Sequence, residues 1–192
     1  MRTALLKEEL PRKIFHLSST LIPIIYFFVE RSLAFKILLS MAIFSLIVEL
    51  IRFRSETVGR AVNFVFGRLM REHETRRISG STYLLMAASA AVYFFPKPVA
   101  IMCLFFVSIS DLIAALVGKS LGGVKMFGKT LEGSIAFLIS AVVIVLLIPG
   151  IKIFPGIAAA LTAAVIELLP IPIDDNLIIP LIPGFVFYLI TM

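Results

Sequence analysis

The sequence carries too little charge for a soluble domain. Only 16% of its 192 residues are charged, and 60% are hydrophobic, whereas soluble domains usually contain about 25% charged residues. Trp is absent, and the single cysteine, Cys103, excludes an intrachain disulfide and lies in an apolar run, as expected of a buried thiol. A core built from a chain of this length could not bury so much apolar surface, so we predict a lipid environment.

The chain also lacks a polar region long enough for a separate soluble domain. We therefore predict one transmembrane domain over residues 1–192. No internal repeat is visible, which gives no support to an inverted-repeat transporter. Because further apolar runs follow the first one, we expect the first to be retained as a span and not cleaved as a signal peptide.

Seven apolar segments predict an all-α integral membrane protein, a compact bundle of about seven transmembrane helices. Several of the segments are at or below the 17 to 25 residues, roughly, that cross a bilayer. The last one contains Pro180 and Pro183, so we expect it to be kinked or broken. The segments cover residues 14–29, 33–51, 82–95, 99–117, 131–148, 153–169 and 177–191.

The basic residues predict the orientation. If the N-terminus is cytoplasmic and the spans alternate, only four of the 18 Lys and Arg residues fall on the outer side: Arg31, Lys36, Lys97 and Lys152. Such a bias is typical of a multi-pass protein of the cell membrane. It also accounts for the net charge of +6, so the charge gives no reason to expect nucleic acid as a partner.

One cytoplasmic segment, residues 52–80, is long enough to hold a further element. Apolar residues recur there at helical spacing, and polar residues occupy the other face. This pattern predicts an amphipathic helix at the membrane surface, with a solvated basic loop as the alternative. The apolar positions are Val58, Val62, Val65, Phe66 and Leu69, and the polar ones are Arg60, Asn63, Arg68 and Arg71.

Three acidic residues, Glu49, Asp111 and Glu167, lie near the cytoplasmic ends of predicted spans. An ionisable group at membrane depth costs about 2.5–3.5 kcal/mol and usually marks a functional site. Asp111 lies seven residues before Gly118, roughly 10 Å inside its helix at 1.5 Å per residue. A position at the membrane interface explains Glu49 and Glu167 equally well, but explains Asp111 less easily.

The cytoplasmic starts of other predicted helices carry complementary groups. Asp174, Asp175 and Asn176 precede the last span, and adjacent carboxylate and amide oxygens suit Mg²⁺. Lys129 and Thr130 precede the fifth span, and helix N-termini with Gly, Lys and hydroxyl groups bind phosphate. Anion donors and metal ligands on one membrane face indicate a nucleotide and phosphoryl chemistry.

Residues 123–130 fit the P-loop pattern G-x-x-x-x-G-K-[ST]. That pattern requires a preceding buried strand, whereas here a predicted membrane helix precedes it, so we reject a P-loop fold. Backbone N–H groups at glycines, the lysines and the helix start could still bind phosphate. The alternative is a short basic loop with Gly for turns and Lys for topology.

Four blocks of the sequence resemble a known family. They are residues 9–16 (ELPRKIFH), 80–83 (GSTY), 111–133 (DLIAALVGKSLGGVKMFGKTLEG) and 167–180 (ELLPIPIDDNLIIP). In this order they resemble the CTP-dependent lipid-alcohol kinases: the dolichol, phytol and yeast-type diacylglycerol kinases of the polyprenol kinase family. The resemblance implies transfer of the γ-phosphate of CTP to a membrane lipid hydroxyl, giving a lipid monophosphate and CDP with a divalent cation.

Roles for the residues follow from the resemblance together with their chemistry. Asp111 is the candidate to orient or deprotonate the lipid hydroxyl, or to bind the metal, and the sequence does not choose between these roles. The other catalytic candidates are Lys129, Glu132 and His16, and the metal candidates are Asp174, Asp175, Asn176 and Glu167. The nucleotide-binding candidates are Arg12, Lys13, Gly118, Lys119, Gly122, Gly123, Lys125, Gly128, Thr130 and Gly133.

Two other functions fit parts of the pattern. A cytidylyltransferase that makes a CDP-activated lipid has a similar Asp…Gly…Lys-Lys-Thr-x-Glu-Gly block, but its usual Lys-Asp…Gly-His-Gly-Gly…Asp-Arg signature is missing here. A small transporter would need polar residues through the full membrane depth, whereas the outer halves of these spans are nearly all apolar. The lipid acceptor and the oligomeric state stay open.

Overall fold

The computed structural model describes residues 17–67 and 77–192. In those residues the chain forms eight helices and one two-stranded hairpin, which confirms the all-α class. The helices are α1 Leu21–Phe28, α2 Arg31–Arg54, α3 Glu56–Phe66, α4 Gly80–Phe94, α5 Lys97–Ser120, α6 Leu131–Leu147, α7 Ile153–Leu168 and α8 Asp175–Thr191. The antiparallel hairpin joins β1 Lys125–Met126 to β2 Lys129–Thr130.

Helix α5 lies at the centre of the bundle and packs against α1, α4, α6 and α8. Residues 99–104 of α5 are all buried, Cys103 among them. Midway along α5, Phe106–Ser110 form a π-helical turn, and Asp111 follows it directly. Such turns inside α-helices are often found at functional sites.

Small residues let the surrounding helices approach closely. Ala87, Ala88 and Ala91 of α4 have no exposed surface, and neither do Ala159, Ala160 and Ala163 of α7, which have the same spacing. Gly184 of α8 lies against the ring of Phe95, so that a side chain there would meet the ring. Close packing through small residues is typical of helices that associate in lipid, where hydrophobicity does not drive helices together.

The exterior of the bundle is apolar. Helices α2 and α5 are each long and apolar enough to cross a membrane, and α4, α6, α7 and α8 are shorter apolar helices. Large side chains such as Phe44 and Leu146 are exposed on outward faces, and exposed apolar surface of this extent marks an interaction with lipid or protein. These features support membrane association; seven spans and the orientation stay predictions.

Each predicted segment corresponds to a helix, with differences at both ends of the chain. In the first segment, Leu17 and Ser18 are helical, but a turn at Ser19 and Thr20 interrupts the helix before α1 begins. Of the kink or break expected in the last span, the break is wrong, because α8 is continuous and contains both Pro180 and Pro183, and a kink stays a prediction. Each proline removes one backbone donor, and the remaining helical bonds suffice to continue the helix.

The amphipathic segment is also helical where the structure describes it. Ser55 caps α3 by accepting a hydrogen bond from the Val58 backbone N–H, and the side chains of Phe64, Val65 and Phe66 are exposed. Leu69, Arg68 and Arg71 lie outside the described residues. Placement of α3 at a membrane surface stays a prediction.

Two of the four basic residues predicted to be on the outer side donate hydrogen bonds to free carbonyl groups at helix C-termini. Arg31 donates hydrogen bonds to the carbonyls of Val92 and Tyr93 at the end of α4. Lys97 donates to the Val29 carbonyl after α1, over 2.9 Å. Cations at helix C-termini are favourable because they satisfy free carbonyls and oppose the helix dipole.

Candidate active site

Lys129 joins two carboxylates from different parts of the chain. Its Nζ lies 3.0 Å from Oδ2 of Asp175 and 3.4 Å from Oε1 of Glu167. The same ammonium donates a hydrogen bond to the Glu167 carbonyl. Glu167 is in the last turn of α7 and Asp175 begins α8, so β2 and two helices meet at this ammonium.

Asp111 belongs to the same cluster. Its carboxylate interacts electrostatically with Lys129, Glu167 and Asp175, which brings the middle of α5 to the site. Burial lowers the pKa of Lys129, but the charges of Asp175 and Glu167, with a smaller contribution from Asp111, raise that pKa above its usual value. The Lys129 ammonium is therefore protonated at physiological pH.

The hairpin between α5 and α6 positions Lys129. Phe127 and Gly128 both have positive φ, 51° and 85°, as the two central residues of a type I′ turn require. The register pairs Met126 with Lys129. Thr130 then caps α6, its Oγ1 accepting a hydrogen bond from the Gly133 N–H at 3.2 Å, so Lys129 stands just before the helix.

Three glycines of the Gly-rich block pack around Thr130. A Cβ at Gly118 would lie 2.5 Å from Oγ1 of Thr130, and one at Gly122 would lie 2.6 Å from its Cγ2. A Cβ at Gly133 would lie 2.9 Å from the same Oγ1. These glycines therefore allow Thr130 to fit between the end of α5 and the start of α6, and nucleotide binding by them stays a prediction.

Other candidates of this block lie outside the ion pairs that join Lys129 to Glu167 and Asp175. Oε1 of Glu132 accepts a hydrogen bond from the Val124 N–H at 3.1 Å, which ties the hairpin to α6, and Oε1 also lies near Gly123. Lys119 and Lys125 are exposed. The catalytic role of Glu132 and the phosphate-binding roles of both lysines stay predictions.

The metal candidates divide into two groups. Asp174 caps α8: its Oδ1 accepts hydrogen bonds from the backbone N–H and the side-chain amide of Asn176, at 2.9 and 2.8 Å. Glu167 and Asp175 share Lys129, and Oε2 of Glu167 also accepts a hydrogen bond from Ser134 at 2.8 Å. Asp174 and Asn176 thus make capping contacts, and Glu167 and Asp175 lie at the charged cluster. Metal binding by all four stays a prediction.

The donor set fits Mg²⁺ only in part. Carboxylate oxygens are its preferred ligands, yet within residues 17–67 and 77–192 no three Asp, Glu, His or Cys side chains are grouped to hold an ion alone. The Lys129 ammonium also lies between two of the carboxylates. Such a site suits an ion that brings phosphate ligands, because Mg²⁺ is usually bound by one or two carboxylates plus substrate phosphates.

A cleft of about 420 Å³ opens beside Lys129, within the range of small-molecule sites. One wall holds Lys129, Asp174 and Asp175, and another holds Arg77 and Tyr83 at the start of α4. The apolar residues 169–173, which link α7 to α8, complete it. The cleft thus combines cations, carboxylates, an aromatic ring and an apolar surface.

Sequence reasoning missed three residues of this region. It treated Arg77 only as a topology charge and gave no role to Tyr83 or Ser134. The signal for Ser134 was its place one residue after Gly133, and that for Tyr83 was its place in the GSTY block. Arg12, Lys13 and His16 lie outside the described residues, so their roles stay predictions.

The sequence of this chain is similar to those of several known proteins. An uncharacterized protein of Rickettsia prowazekii is 31% identical over 151 residues, which cover 77% of this chain and 74% of that one. The chain belongs to the same family as the rickettsial protein. No protein-family model matches the chain, and no solved structure matches it.

Several fungal relatives have an assigned activity. CTP-dependent diacylglycerol kinase 1 of Saccharomyces cerevisiae is 30% identical over 137 residues, covering 68% of this chain and 47% of the yeast protein. The Schizosaccharomyces pombe protein of the same name is 27% identical over 161 residues, covering 74% of each. The chain thus spans about half the length of the S. cerevisiae relative, and these similarities support membership of the CTP-dependent lipid kinase family.

Proposed function

We propose that the chain is a CTP-dependent kinase that phosphorylates the hydroxyl of a membrane lipid alcohol. The acceptor class comprises isoprenoid alcohols, such as polyprenol, dolichol or phytol-like alcohols, and diacylglycerol. The lipid oxygen forms a bond to the γ-phosphorus of CTP, and the bond from that phosphorus to the β,γ-bridging oxygen breaks. A lipid monophosphate and CDP leave, and the hydroxyl proton passes to a base.

The observation that carries the proposal is the Lys129 cluster. Phosphoryl transfer depends on positioning and on neutralising phosphate charge, and Lys129 supplies a cation that its neighbours keep protonated. Its carboxylate partners Glu167 and Asp175 are two of the residues predicted to contact the metal. When a triphosphate binds at the cluster, its phosphate oxygens take the place of these carboxylates as partners of the ammonium. Lys129 then contacts the phosphate oxygens.

Mg²⁺ supplies charge neutralisation when bound, and Glu167 and Asp175 are the residues that would hold it there together with phosphate oxygens. Asp174 and Asn176 fix the start of α8 and thereby the position of Asp175. Ser134 fixes one oxygen of Glu167. Both carboxylates are thus held by neighbouring groups before any ligand arrives.

Asp111 is the residue that we assign to the lipid hydroxyl. It is the one acid of the cluster inside the long apolar helix α5, where an alcohol with an apolar tail can approach from between helices. Its carboxylate accepts the hydroxyl proton, or orients the hydroxyl by accepting a hydrogen bond from it. The predicted location is the cell membrane, as a multi-pass protein with this end facing the cytoplasm.

Two labelled forms of CTP test the proposal. Purified protein in lipid or detergent is incubated with Mg²⁺, a panel of lipid alcohols and CTP carrying label on either the γ- or the α-phosphate. The proposal predicts lipid label from γ-labelled CTP and none from α-labelled CTP. Lipid label from α-labelled CTP, with release of pyrophosphate, would instead identify a cytidylyltransferase. Solute flux in proteoliposomes without nucleotide would favour the transporter.

A further inference from the structure

The cleft beside Lys129 is formed by a different part of the chain from the Gly-rich block that the sequence suggested for the nucleotide. Of the predicted nucleotide-binding and catalytic residues within 17–67 and 77–192, only Lys129 lines it. The remaining polar lining comes from Arg77, Tyr83, Asp174 and Asp175. The ligand of this cleft therefore has to be inferred from its own chemistry.

The cations of the cleft are not equivalent. Lys129 is shared by the carboxylates of Glu167 and Asp175. In contrast, no carboxylate among residues 17–67 and 77–192 forms an ion pair with the guanidinium of Arg77. A planar guanidinium matches phosphate oxygens through two parallel hydrogen bonds, so Arg77 is well suited to an added polyphosphate.

The wall that carries Arg77 is held in place by a buried polar network. Arg52 forms an ion pair with Glu49 and also donates to the Arg77 carbonyl at 2.9 Å. The second oxygen of Glu49 accepts a hydrogen bond from the Ser79 N–H at 3.2 Å. Since Glu49 and Arg52 are both buried, α2 fixes the backbone on either side of Ile78 before any ligand binds.

A second set of contacts orients the start of α4. Thr82 is fully buried, and its hydroxyl lies 2.6 Å from that of Ser45 and 3.1 Å from that of Ser79. The next residue, Tyr83, lines the cleft. Tyr83 shares this cleft with the apolar residues 169–173, and aromatic rings bind nucleobases by stacking, whatever the base.

We propose that this cleft is the nucleoside triphosphate site, with the Arg77 guanidinium on the polyphosphate and the Tyr83 ring against the base. Lys129 at the adjacent wall then meets the terminal phosphate, next to Asp111. The identity of the ligand as CTP rests on the proposed kinase function, whereas the position of the site rests on the cleft. This arrangement places the triphosphate between α4 and the α7–α8 link, in a cleft that Lys119 and Lys125 do not line.

Equilibrium binding of labelled CTP to the purified full chain, in detergent and without lipid acceptor, tests the site directly. Arg77→Gln is expected to raise the Kd for CTP about tenfold or more, because it removes charge-assisted hydrogen bonds to phosphate. Arg77→Lys keeps the charge without the planar donor pair and is expected to fall between the wild type and Arg77→Gln. Arg60→Gln, an exposed arginine of α3 outside the cleft, is the matched control and should bind CTP like the wild type.

Inorganic tripolyphosphate separates the two parts of the ligand. Arg77→Gln is expected to weaken binding of both CTP and tripolyphosphate, whereas Tyr83→Leu should weaken only CTP. Unfolding temperatures measured on the same samples identify a variant that has lost its fold. If Arg77→Gln is unfolded, the Kd of Arg77→Lys for CTP is compared with that of the wild type instead. A Tyr83→Leu variant that binds CTP as tightly as the wild type would contradict the base assignment.

The proposal is overturned if Arg77→Gln binds CTP like Arg60→Gln. It is also overturned if Arg77→Gln leaves the Kd for CTP unchanged and raises only the KM for the lipid, because the cleft would then take a lipid headgroup. A different result would refute the kinase function alone. In that case the wild type would bind CTP in an Arg77-dependent manner but transfer no phosphate to lipid.

Discussion

The Nζ of Lys129 lies 3.0 Å from Oδ2 of Asp175, although the two residues belong to a hairpin before α6 and to the first turn of α8. The contact has a consequence for pH dependence. Because the pKa of Lys129 is raised in the folded protein, its favourable interaction is fully present below the pKa of an unfolded lysine, about 10.4. It is lost as pH rises through the higher pKa of the folded state.

We therefore expect the stabilising contribution of Lys129 to the unfolding temperature to stay constant between about pH 6 and pH 9. Above about pH 10.4 its contribution should decline, and in Lys129→Met this part of the alkaline decline should be missing. Thermal unfolding of both proteins across this range measures the difference. Identical alkaline profiles for the two proteins would show that the ammonium is not held by the carboxylates.

The buried pair of Glu49 and Arg52 is expected to be needed for stability. Glu49→Gln removes the charge that compensates a buried guanidinium, and breaking such a pair costs about 3–5 kcal/mol. The variant should unfold at a clearly lower temperature than the wild type. Glu56→Gln, an exposed acid at the start of α3, should change the unfolding temperature little, and equal effects of the two substitutions would contradict the assignment.

The glycines around Thr130 should tolerate no side chain. Gly122→Ala places a Cβ 2.6 Å from Cγ2 of Thr130, and such overpacking costs about 1–3 kcal/mol. Gly128 also has a positive φ, but no atom lies within 4 Å of a Cβ built there, so Gly128→Asn should keep its turn at small cost. Unfolding temperatures of the two variants should rank Gly122→Ala well below Gly128→Asn, and the reverse order would contradict the packing.

Removal of divalent cations should abolish activity without unfolding the protein. Chelation with EDTA is expected to stop phosphoryl transfer, and added Mg²⁺ should restore it. The unfolding temperature should stay the same, because the described residues provide no group of acids able to hold an ion alone. Transfer that persists in EDTA would remove the metal from the proposal, and a fall in unfolding temperature would indicate a structural ion.

Asp111→Asn tests the assignment of the lipid hydroxyl. The amide has the same shape but cannot take a proton, so the rate of transfer should fall about 100-fold or more while the Kd for CTP stays near that of the wild type. Transfer rates and CTP binding measured on one preparation give both quantities. If Asp111→Asn weakens CTP binding as much as it slows transfer, Asp111 acts on the nucleotide or its metal and not on the lipid.

Much of the fold was accessible from the sequence because the helices are long apolar runs bounded by polar residues. Leu131 and Ile153 begin their helices as predicted, since Thr130 and Lys152 end the apolar pattern there. The first helix and the proline-containing last helix were predicted less well. Apolarity does not report the turn at Ser19, and a proline does not by itself decide whether a helix ends.

The site was predictable in its acids and less so in its cations. Asp111 and Asp175 stand out because a charge in an apolar helix or at its start is expensive. Composition does not distinguish Lys129 from Lys125, however, since both lie in the hairpin and only its register turns Lys129 toward Glu167. Arg77 was hidden among other basic residues of the same segment, and only the folded chain brings it to the cleft.

The central claim is that the Lys129 cluster carries out phosphoryl transfer, and one comparison tests it most directly. The rate of label transfer from γ-labelled CTP to lipid is measured for the wild type, Lys129→Met and Lys152→Met. Lys152 immediately precedes α7, about 22 Å along the helix axis from Glu167 at 1.5 Å per residue. The account predicts a normal rate for Lys152→Met and a loss of about 100-fold or more for folded Lys129→Met. A folded Lys129→Met protein that transfers label at the wild-type rate would contradict it.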